Sequence, residues 1–287
     1  MSRPICALTL NYRNAASTWH CVDSLLAEGI DQILIWDNSE DGGKSAAKLR
    51  THFAANPRVH LEISPVNLGF AAGVNRGIEW LRQLVPDAWI LLINNDAWLQ
   101  PNSLAALTQA LASSPQAVLA YPSIDLGNRI LGTVYYHRLL ALITTGPWPG
   151  SFPYASGCCQ LIAPERYPGR LYDEAFFMYG EDVELGWRLG PERFVYVPTV
   201  KVQHEGSAGS GMGTPFYETC LVESHLLLID KLADDWFDRQ VLLLGRLLTL
   251  PARALMRALR YRSLVPLKAL WEGWRIARGR DPQRRRA

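Results

Sequence analysis

The sequence predicts an α/β protein whose mainly parallel central sheet is flanked by helices, followed by a helical C-terminal extension. Two observations carry this. Over the first 120 residues, short apolar runs alternate with segments of helical spacing, the pattern of a parallel sheet covered on both faces. The apolar runs also end abruptly in polar residues, most clearly Ile90-Leu91-Leu92-Ile93-Asn94-Asn95-Asp96. In such sheets ligands bind beyond the carboxyl ends of the strands, and Asn11, Asp37, Asn67 and Asp96 all fall at such ends.

In order, Ile5–Leu10 reads as a strand ending at Asn11, and Thr18–Glu28 as a helix (Trp19, Val22, Leu25, Leu26) stopped by Gly29. Gln32–Trp36 is a strand ending at Asp37, and Ser45–Ala55 a helix. Val59–Ile63 is a strand ending near Asn67, Ala71–Leu84 a helix and Ala88–Ile93 the fourth strand. Asn102 is placed to cap a helix over 102–112, and Ala117–Tyr121 is a fifth strand. Residues 122–156, rich in Gly, Pro, Tyr and Trp, read as irregular with a short helix around His137–Ile143. A helix near Asp182–Leu189 and a strand at Phe194–Pro198 follow, then a glycine-rich loop over 205–216 and helical sequence from Tyr217. The expected organisation is a domain over 1–216, a helical segment over 217–277 and a basic tail over 278–287.

Composition sets the bounds. The chain is 48% hydrophobic, enough for a sizeable core and too much for disorder. Its net charge of +2 hides an asymmetry: residues 1–235 hold 16 Lys and Arg against 24 Asp and Glu, and residues 236–287 hold 13 against 3. An acidic body with a basic tail points the tail toward an anionic surface. The five cysteines have no metal-binding spacing and read as free thiols of a reducing compartment. The N-terminus enters a strand at once, without a signal-peptide pattern, and no apolar run is long enough to span a bilayer.

Asp96 is the leading candidate for chemistry. A lone carboxylate after a strand is commonly a turn former, but one that ends a very apolar strand, beside Asn94 and Asn95, suits a hard divalent ion such as Mg²⁺ or Mn²⁺. Such ions take oxygen ligands and often complete their shell with phosphate. Asp37, in WDNSEDGG, is either an ordinary turn residue or an acceptor for the base or ribose of a nucleotide. In NLGFAAGVNRGI (67–78), Gly69 and Gly73 either admit a ligand close to a helix N-terminus or merely let the helix pack tightly. In FFMYGEDVELGWRLG (176–190), the acids Glu181, Asp182 and Glu184 open a helix. Complementing the helix dipole accounts for the acids but not for their aromatic lead-in. Burial there would raise a carboxylate's pKa toward that of a general base, and Trp187 offers an apolar floor for a sugar. His204, before the glycine-rich loop, is either structural or a further metal ligand.

Together, LNYRN, WDNSEDGG, NLGFAAGVNRGI, ILLINNDAWLQP, ASGCCQLI and FFMYGEDVELGWRL followed by His204 resemble the inverting family 2 glycosyltransferases of the GT-A fold, especially the bacterial rhamnosyltransferase-like branch. The resemblance runs from about Pro4 to about His204. It implies that Thr9, Asn11, Tyr12 and Asp37 hold the base and ribose of a nucleotide-sugar, and that Asn67, Gly69, Gly73 and Asn75 line the nucleotide and diphosphate. Asn94-Asn95-Asp96 stands where the family has its DxD motif, so Asp96 would bind Mg²⁺ or Mn²⁺, with His204 as a further ligand. The first acid of that motif is Asn94 here, which implies a weaker metal site. Asp182 would be the catalytic base, with Glu181 and Trp187 on the acceptor and sugar side. Cys158 and Cys159 carry no assigned chemistry.

The implied activity is metal-dependent transfer of a sugar, with dTDP-rhamnose as one donor and a UDP-sugar as the rival. The acceptor would be a glycan or lipid-linked molecule in cell-envelope polysaccharide synthesis. The alternative is a catalytically silent relative that binds glycans or acts as a membrane scaffold. A dinucleotide oxidoreductase is excluded, because LNYRN stands where a G-x-G-x-x-G turn would be needed. Arg246, Arg253, Arg257 and Arg260 share one helical stripe. They form either a solvated face of a packed helix or, with the later arginines, a contact with an anionic membrane surface, placing the protein on the cytoplasmic face of the membrane. No nucleic-acid motif is present.

Overall fold

The computed structural model describes residues 3–205 and 211–279. Residues 206–210 of the glycine-rich loop and 280–287 of the expected basic tail lie outside the described residues. The chain runs β1 (Ile5–Asn11), α1 (Ala15–Ala27), β2 (Gln32–Asp37), α2 (Lys44–Phe53), β3 (Val59–Ile63), α3 (Gly69–Leu84), β4 (Trp89–Ile93), β5 (Ala97–Leu99) and α4 (Ser103–Ala112). It continues β6 (Leu119–Asp125), β7 (Ile130–Leu131), β8 (Val134–His137), β9 (Leu142–Thr144), β10 (Ser151–Tyr154), β11 (Cys159–Ile162), α5 (Glu181–Leu189) and β12 (Phe194–His204). Three helices close it: α6 (Pro215–Leu232), α7 (Trp236–Tyr261) and α8 (Val265–Gly279).

The main sheet has the order β3-β2-β1-β4-β11-β6-β12-β5, with β7 alongside β6. Strands β3, β2, β1 and β4 are parallel, as the alternation with helices requires. Beyond β4 the sheet is mixed: β11 runs antiparallel to both β4 and β6, β12 parallel to β6, and β5 antiparallel to β12. The parallel strands are apolar on both faces because both are covered. Ile5, Ala7, Leu91 and Ile93 join one core, and Cys6, Leu8, Ile90 and Leu92 the other. This two-residue alternation fixes the register. The five cysteines are buried, and none forms a disulfide among the described residues.

Local signals held where they were self-contained. α1 is capped by Asn14, whose side chain accepts from the Ser17 amide at 3.3 Å, and it ends at Gly29, whose φ of +78° is open to glycine at little cost. The cap expected at Asn102 is corrected. Asn102 sits in the left-handed region and its side chain caps nothing. Instead the Glu28 carboxylate accepts from the Asn102 and Leu104 amides, each at 2.8 Å, so a residue 74 positions upstream meets the open amides of α4.

The short helix expected around His137–Ile143 is also corrected: this stretch is the turn of a small antiparallel sheet, β10-β8-β9. His137 Nδ1 accepts from the Leu140 amide at 3.1 Å, and Arg138 donates to the Leu232 carbonyl and pairs with Asp234 and Asp238. Partners some 95 residues away therefore decide the conformation. The strand expected to stop at Pro198 runs on to His204 through an irregularity between Val197 and Lys201, where a proline costs no ladder bond.

The small sheet, α5 and the C-terminal helices share a third core, containing Tyr136, Tyr154, Phe176, Val183, Leu228 and Leu242. Three arginines of the α7 stripe, Arg246, Arg253 and Arg257, face this core, and Arg260 is exposed. Arg246 is completely buried and donates to the carbonyls of Leu139 at 2.7 Å and His225 at 3.2 Å, and to the Tyr136 hydroxyl at 3.2 Å. Arg253 donates to His225 Nε2 at 2.9 Å, and Arg257 pairs with Glu218. Burial and the two nearby guanidiniums hold His225 well below its usual pKa, so it is neutral. Since arginine only donates, Nε2 accepts and the imidazole proton sits on Nδ1, facing the Tyr136 oxygen 3.0 Å away.

Candidate active site

Asp96 lies between the end of β4 and the three-residue strand β5. β5 pairs antiparallel with the far end of β12, setting His204 opposite Ala97, one residue from Asp96. The outcome is a contact of 3.0 Å between Asp96 Oδ1 and His204 Nε2, both largely shielded from solvent. Burial opposes a charge on His204, but its contacts with Asp96 and the Cys158 thiol outweigh that and push it up to about 10. Two donor atoms that far apart match the edge of an octahedron with bonds of about 2.1 Å, which spans roughly 3 Å. Asp96 and a deprotonated His204 therefore fit one hard divalent ion. Among the described residues no cluster of three His, Cys, Asp or Glu completes such a site, so the rest of the shell falls to ligand and water oxygens. The Asn94 side chain makes no hydrogen bond among the described residues, and its backbone amide donates to the Cys158 carbonyl at 2.8 Å.

Asp182 opens α5. Its Oδ2 accepts from the Gly157 amide at 3.2 Å and its Oδ1 from the Val183 amide at 2.9 Å. Burial pushes it up to about 6, against the lowering pull of those amides. Glu181 beside it is buried, and its Oε2 finds no hydrogen-bond partner among the described residues. Burial and the neighbouring Asp182 push it up to about 8. Buried Tyr154 and Tyr172 lie within electrostatic reach of both carboxyls. The two halves of the site meet at one turn: the Gly157 amide holds Asp182, and the adjacent Cys158 thiol contacts His204, the partner of Asp96. ASGCC was visible in the sequence as a motif, but nothing in it announced that its amide and thiol would tie the two acids together.

The residues expected around the nucleotide separate into two groups. Asp37 is buried at the end of β2, its Oδ1 taking hydrogen bonds from Asn11 Nδ2 at 2.8 Å and from the Ser39 hydroxyl. Asn11 Oδ1 accepts from Thr18, and Thr18 in turn accepts from Asn95 Nδ2 at 3.0 Å. Thr9 and Asn11 have no exposed surface, so they hold the strand ends rather than present a face. Tyr12 is exposed, with the Arg13 guanidinium 5.1 Å from its ring centre and bonded to the Ser39 carbonyl. Arg13 went unnoticed in LNYRN.

Asn67 accepts from the Gly69 amide at 2.9 Å. Gly69 has φ +79°, and a Cβ there would lie 2.3 Å from the Phe177 carbonyl oxygen, which also takes the Phe70 amide at 2.7 Å. The first two amides of α3 are thus taken by the Asn67 side chain and the Phe177 carbonyl. Gly73 is corrected from ligand lining to helix packing, since a Cβ there would fall 2.8 Å from Leu10 and 3.0 Å from Asn38. Asn75 is likewise corrected. Its amide grips Tyr172 through N–H and C=O and reaches Glu174, beside a separate surface depression with Arg76, Arg82 and Tyr167. Trp187 lies five residues beyond Asp182, about 140° around the helix. It packs on Phe152 and Arg138 of the small sheet and is not a floor beside Asp182.

Residues 6–165 match the sequence model of the family described as Glycosyl transferase family 2. The chain belongs to that family. Two relatives from two strains of Mycobacterium tuberculosis, both named N-acetylglucosaminyl-diphospho-decaprenol L-rhamnosyltransferase, are 30% identical to this glycosyltransferase over 225 residues, which is 66% of this chain and 71% of theirs. The enzyme thus falls on the rhamnosyltransferase-like side of the family. Its fold is similar to GalNAc-T7 crystallised with UDP, GalNAc and Mn²⁺, with a TM-score of 0.57 at 13% identity over 77% of this chain; the enzyme spans only 48% of that one. It is also similar to S. aureus TarS 1-349 in complex with UDP-GlcNAc, with a TM-score of 0.52 at 11% identity over 83% of this chain and 70% of that one. These likenesses establish the GT-A fold.

Proposed function

We propose that this glycosyltransferase moves a sugar, with inversion, from a nucleoside diphosphate sugar to a lipid-linked glycan acceptor in cell-envelope polysaccharide synthesis. L-Rhamnose from dTDP-rhamnose is the preferred donor group, in keeping with the named activity of its relatives. The observation that carries the reading is the 157–158 turn, which bonds to Asp182 on one side and contacts the Asp96–His204 pair on the other.

Asp96 and His204 would hold Mg²⁺ or Mn²⁺. That ion, when bound, offsets the negative charge gathering on the diphosphate as the anomeric C–O bond breaks. The acceptor hydroxyl oxygen attacks the anomeric carbon from the face opposite the leaving diphosphate, and Asp182 takes its proton. One carboxylate suffices for inversion; two facing carboxyls working in turn belong to retaining hydrolysis. The amides of Gly157 and Val183 aim the Asp182 oxygens, and burial lifts its basicity to where a base is effective near neutral pH. Glu181, with a pKa above neutrality, stays mostly protonated beside it. Asn11, Ser39 and Asp37 brace the strand ends against which the nucleotide would lie, with Tyr12 and Arg13 on the exposed side.

The test is a thermal-shift panel of nucleoside diphosphates with and without Mn²⁺, followed by transfer assays. Stabilisation by dTDP only with metal supports the donor and the site, and stabilisation by UDP instead reassigns the base. Donor turnover that is absent with metal, or unchanged in Asp96→Ala and Asp182→Asn, refutes the catalytic reading and leaves a silent scaffold.

A further inference from the structure

Arg246, Arg253 and Arg257 of α7 face inward with Leu242 and Leu250, and the opposite side of the helix is apolar and exposed. Leu244, Leu247, Leu248, Leu255, Met256 and Leu259 are all exposed, Leu248 to 75% and Leu259 to 71%. They follow one side of the helix, roughly half a turn from Arg246, Arg253 and Arg257, and extend roughly 22 Å along it. Leu264, in the turn after α7, and Trp271 of α8 are likewise exposed, to 66% and 71%. A contiguous apolar face of this kind marks an interaction surface rather than scattered exposure. Among the described residues no helix is long and apolar enough to cross a membrane.

We propose that this ridge of α7 and the corner into α8 form a docking surface for an anionic lipid bilayer, lying in the interface with the leucines in the acyl boundary. Charge names the occupant. On the same two helices and the turn between them Arg260, Arg262, Lys268 and Arg278 are exposed, as is Arg275, which pairs with Glu272, and the sequence that follows adds Arg280, Arg284, Arg285 and Arg286 against Asp281 alone. Leucines in the hydrocarbon, a tryptophan at the headgroup level and cations reaching anionic headgroups are what an interfacial helix requires. An anionic leaflet meets those cations at every point along the ridge; a second copy of the chain, whose residues 1–235 are acidic, is the competing occupant that the test separates.

The surface is also joined to the active site. Arg257, on the inner face of α7, pairs with Glu218 and lies 5.6 Å from the ring centre of Tyr217. Tyr217 packs edge-on against Tyr179, two residues before Glu181. The C-terminal half of α7 is therefore linked, through its inner face, to the segment that leads into α5. The docking surface rests on α7 and α8 alone and does not depend on the donor or acceptor assignment.

The test is flotation of the full chain with phosphatidylglycerol–phosphatidylcholine vesicles and with pure phosphatidylcholine vesicles. Binding to the anionic vesicles should weaken with salt and fall at least about tenfold in Leu248→Asp/Leu255→Asp. Leu248→Gln/Leu255→Gln, which adds no charge, should fall in the same direction, with melting temperature and donor turnover retained in both. Binding to neither vesicle, equal binding to both, or binding that the substitutions leave unchanged overturns the proposal. So does a dimer in sedimentation equilibrium that the same substitutions dissolve, without vesicle binding, which assigns the ridge to a second copy of the chain.

Discussion

Asp182→Asn and Glu181→Gln should separate sharply, although the two residues are adjacent and both buried. Asp182 at about 6 is mostly ionised at pH 7 and its oxygens are aimed by two amides. Burial and the neighbouring Asp182 push Glu181 up further still, so of the two carboxyls it is the one that holds the proton. Asparagine removes a base, whereas glutamine copies the neutral form that Glu181 already has. General-base assistance is worth about 10²–10⁴ in rate, or about 3–5 kcal/mol of barrier at 1.4 kcal/mol per factor of ten. Asp182→Asn should lose that much of kcat, and Glu181→Gln less than about threefold at pH 7. In the unaltered enzyme kcat should fall about tenfold per pH unit well below pH 6, as the base becomes protonated. Initial rates of nucleoside diphosphate release between pH 5 and pH 9 measure all three. A Glu181→Gln loss as large as that of Asp182→Asn would refute the assignment of the base, and so would an unaltered acid limb in Asp182→Asn.

Glu181 also ties stability to pH. Its folded pKa lies above its unfolded value, so the native state binds the extra proton and stability declines as pH rises from about 4.5 through about 8. Glu181→Gln should flatten that decline in melting curves recorded across the range, and a decline that persists undiminished places its origin elsewhere. His204 must shed a proton to coordinate, so apparent Mn²⁺ affinity should rise about tenfold per pH unit below pH 10, with protons released on binding. Asp96→Ala should abolish metal-dependent turnover, and a pH-independent affinity measured by calorimetry would contradict the site. Gly69→Ala forces a side chain onto the Phe177 carbonyl at a positive φ and should cost about 3 kcal/mol in denaturant unfolding; a loss below about 1 kcal/mol would mean the turn relaxes easily. Arg246→Met strands two carbonyls and the Tyr136 hydroxyl and should cost about 3 kcal/mol, whereas a neutral result would show that the buried guanidinium contributes no net stability.

The parallel half of the sheet was legible because its signals are local: apolar alternation, strand-end polar residues and a glycine stop each act within a few residues of chain. The positions of Asp96 and Asp182 were legible too, since a carboxylate at the close of a buried strand, or at the start of a helix with an aromatic lead-in, stands against its surroundings. The readings that failed depended on distant partners. Asn102 looked like a cap because its chemistry suits one, but Glu28 arrived from another helix to do it. Gly73 and Asn75 looked like ligand-lining residues because loop composition does not show which side of the helix meets Leu10 or Tyr172.

By itself the sequence determined the family and the strand–helix order of the parallel half, and it singled out the two acids as candidates, because these follow from residue type and spacing along one chain. Only the tertiary structure decided that β12 returns beside β5 to set His204 against Asp96, that the Gly157–Cys158 turn joins both acids, and that α7 turns Arg246, Arg253 and Arg257 inward and Leu244, Leu248, Leu255 and Leu259 out. The periodicity of an amphipathic helix reveals that it has two faces. Which face is buried depends on the acceptors waiting across the interface, and here the carbonyls of Leu139 and His225, the Tyr136 hydroxyl and Glu218 offered the guanidiniums partners that no leucine could use.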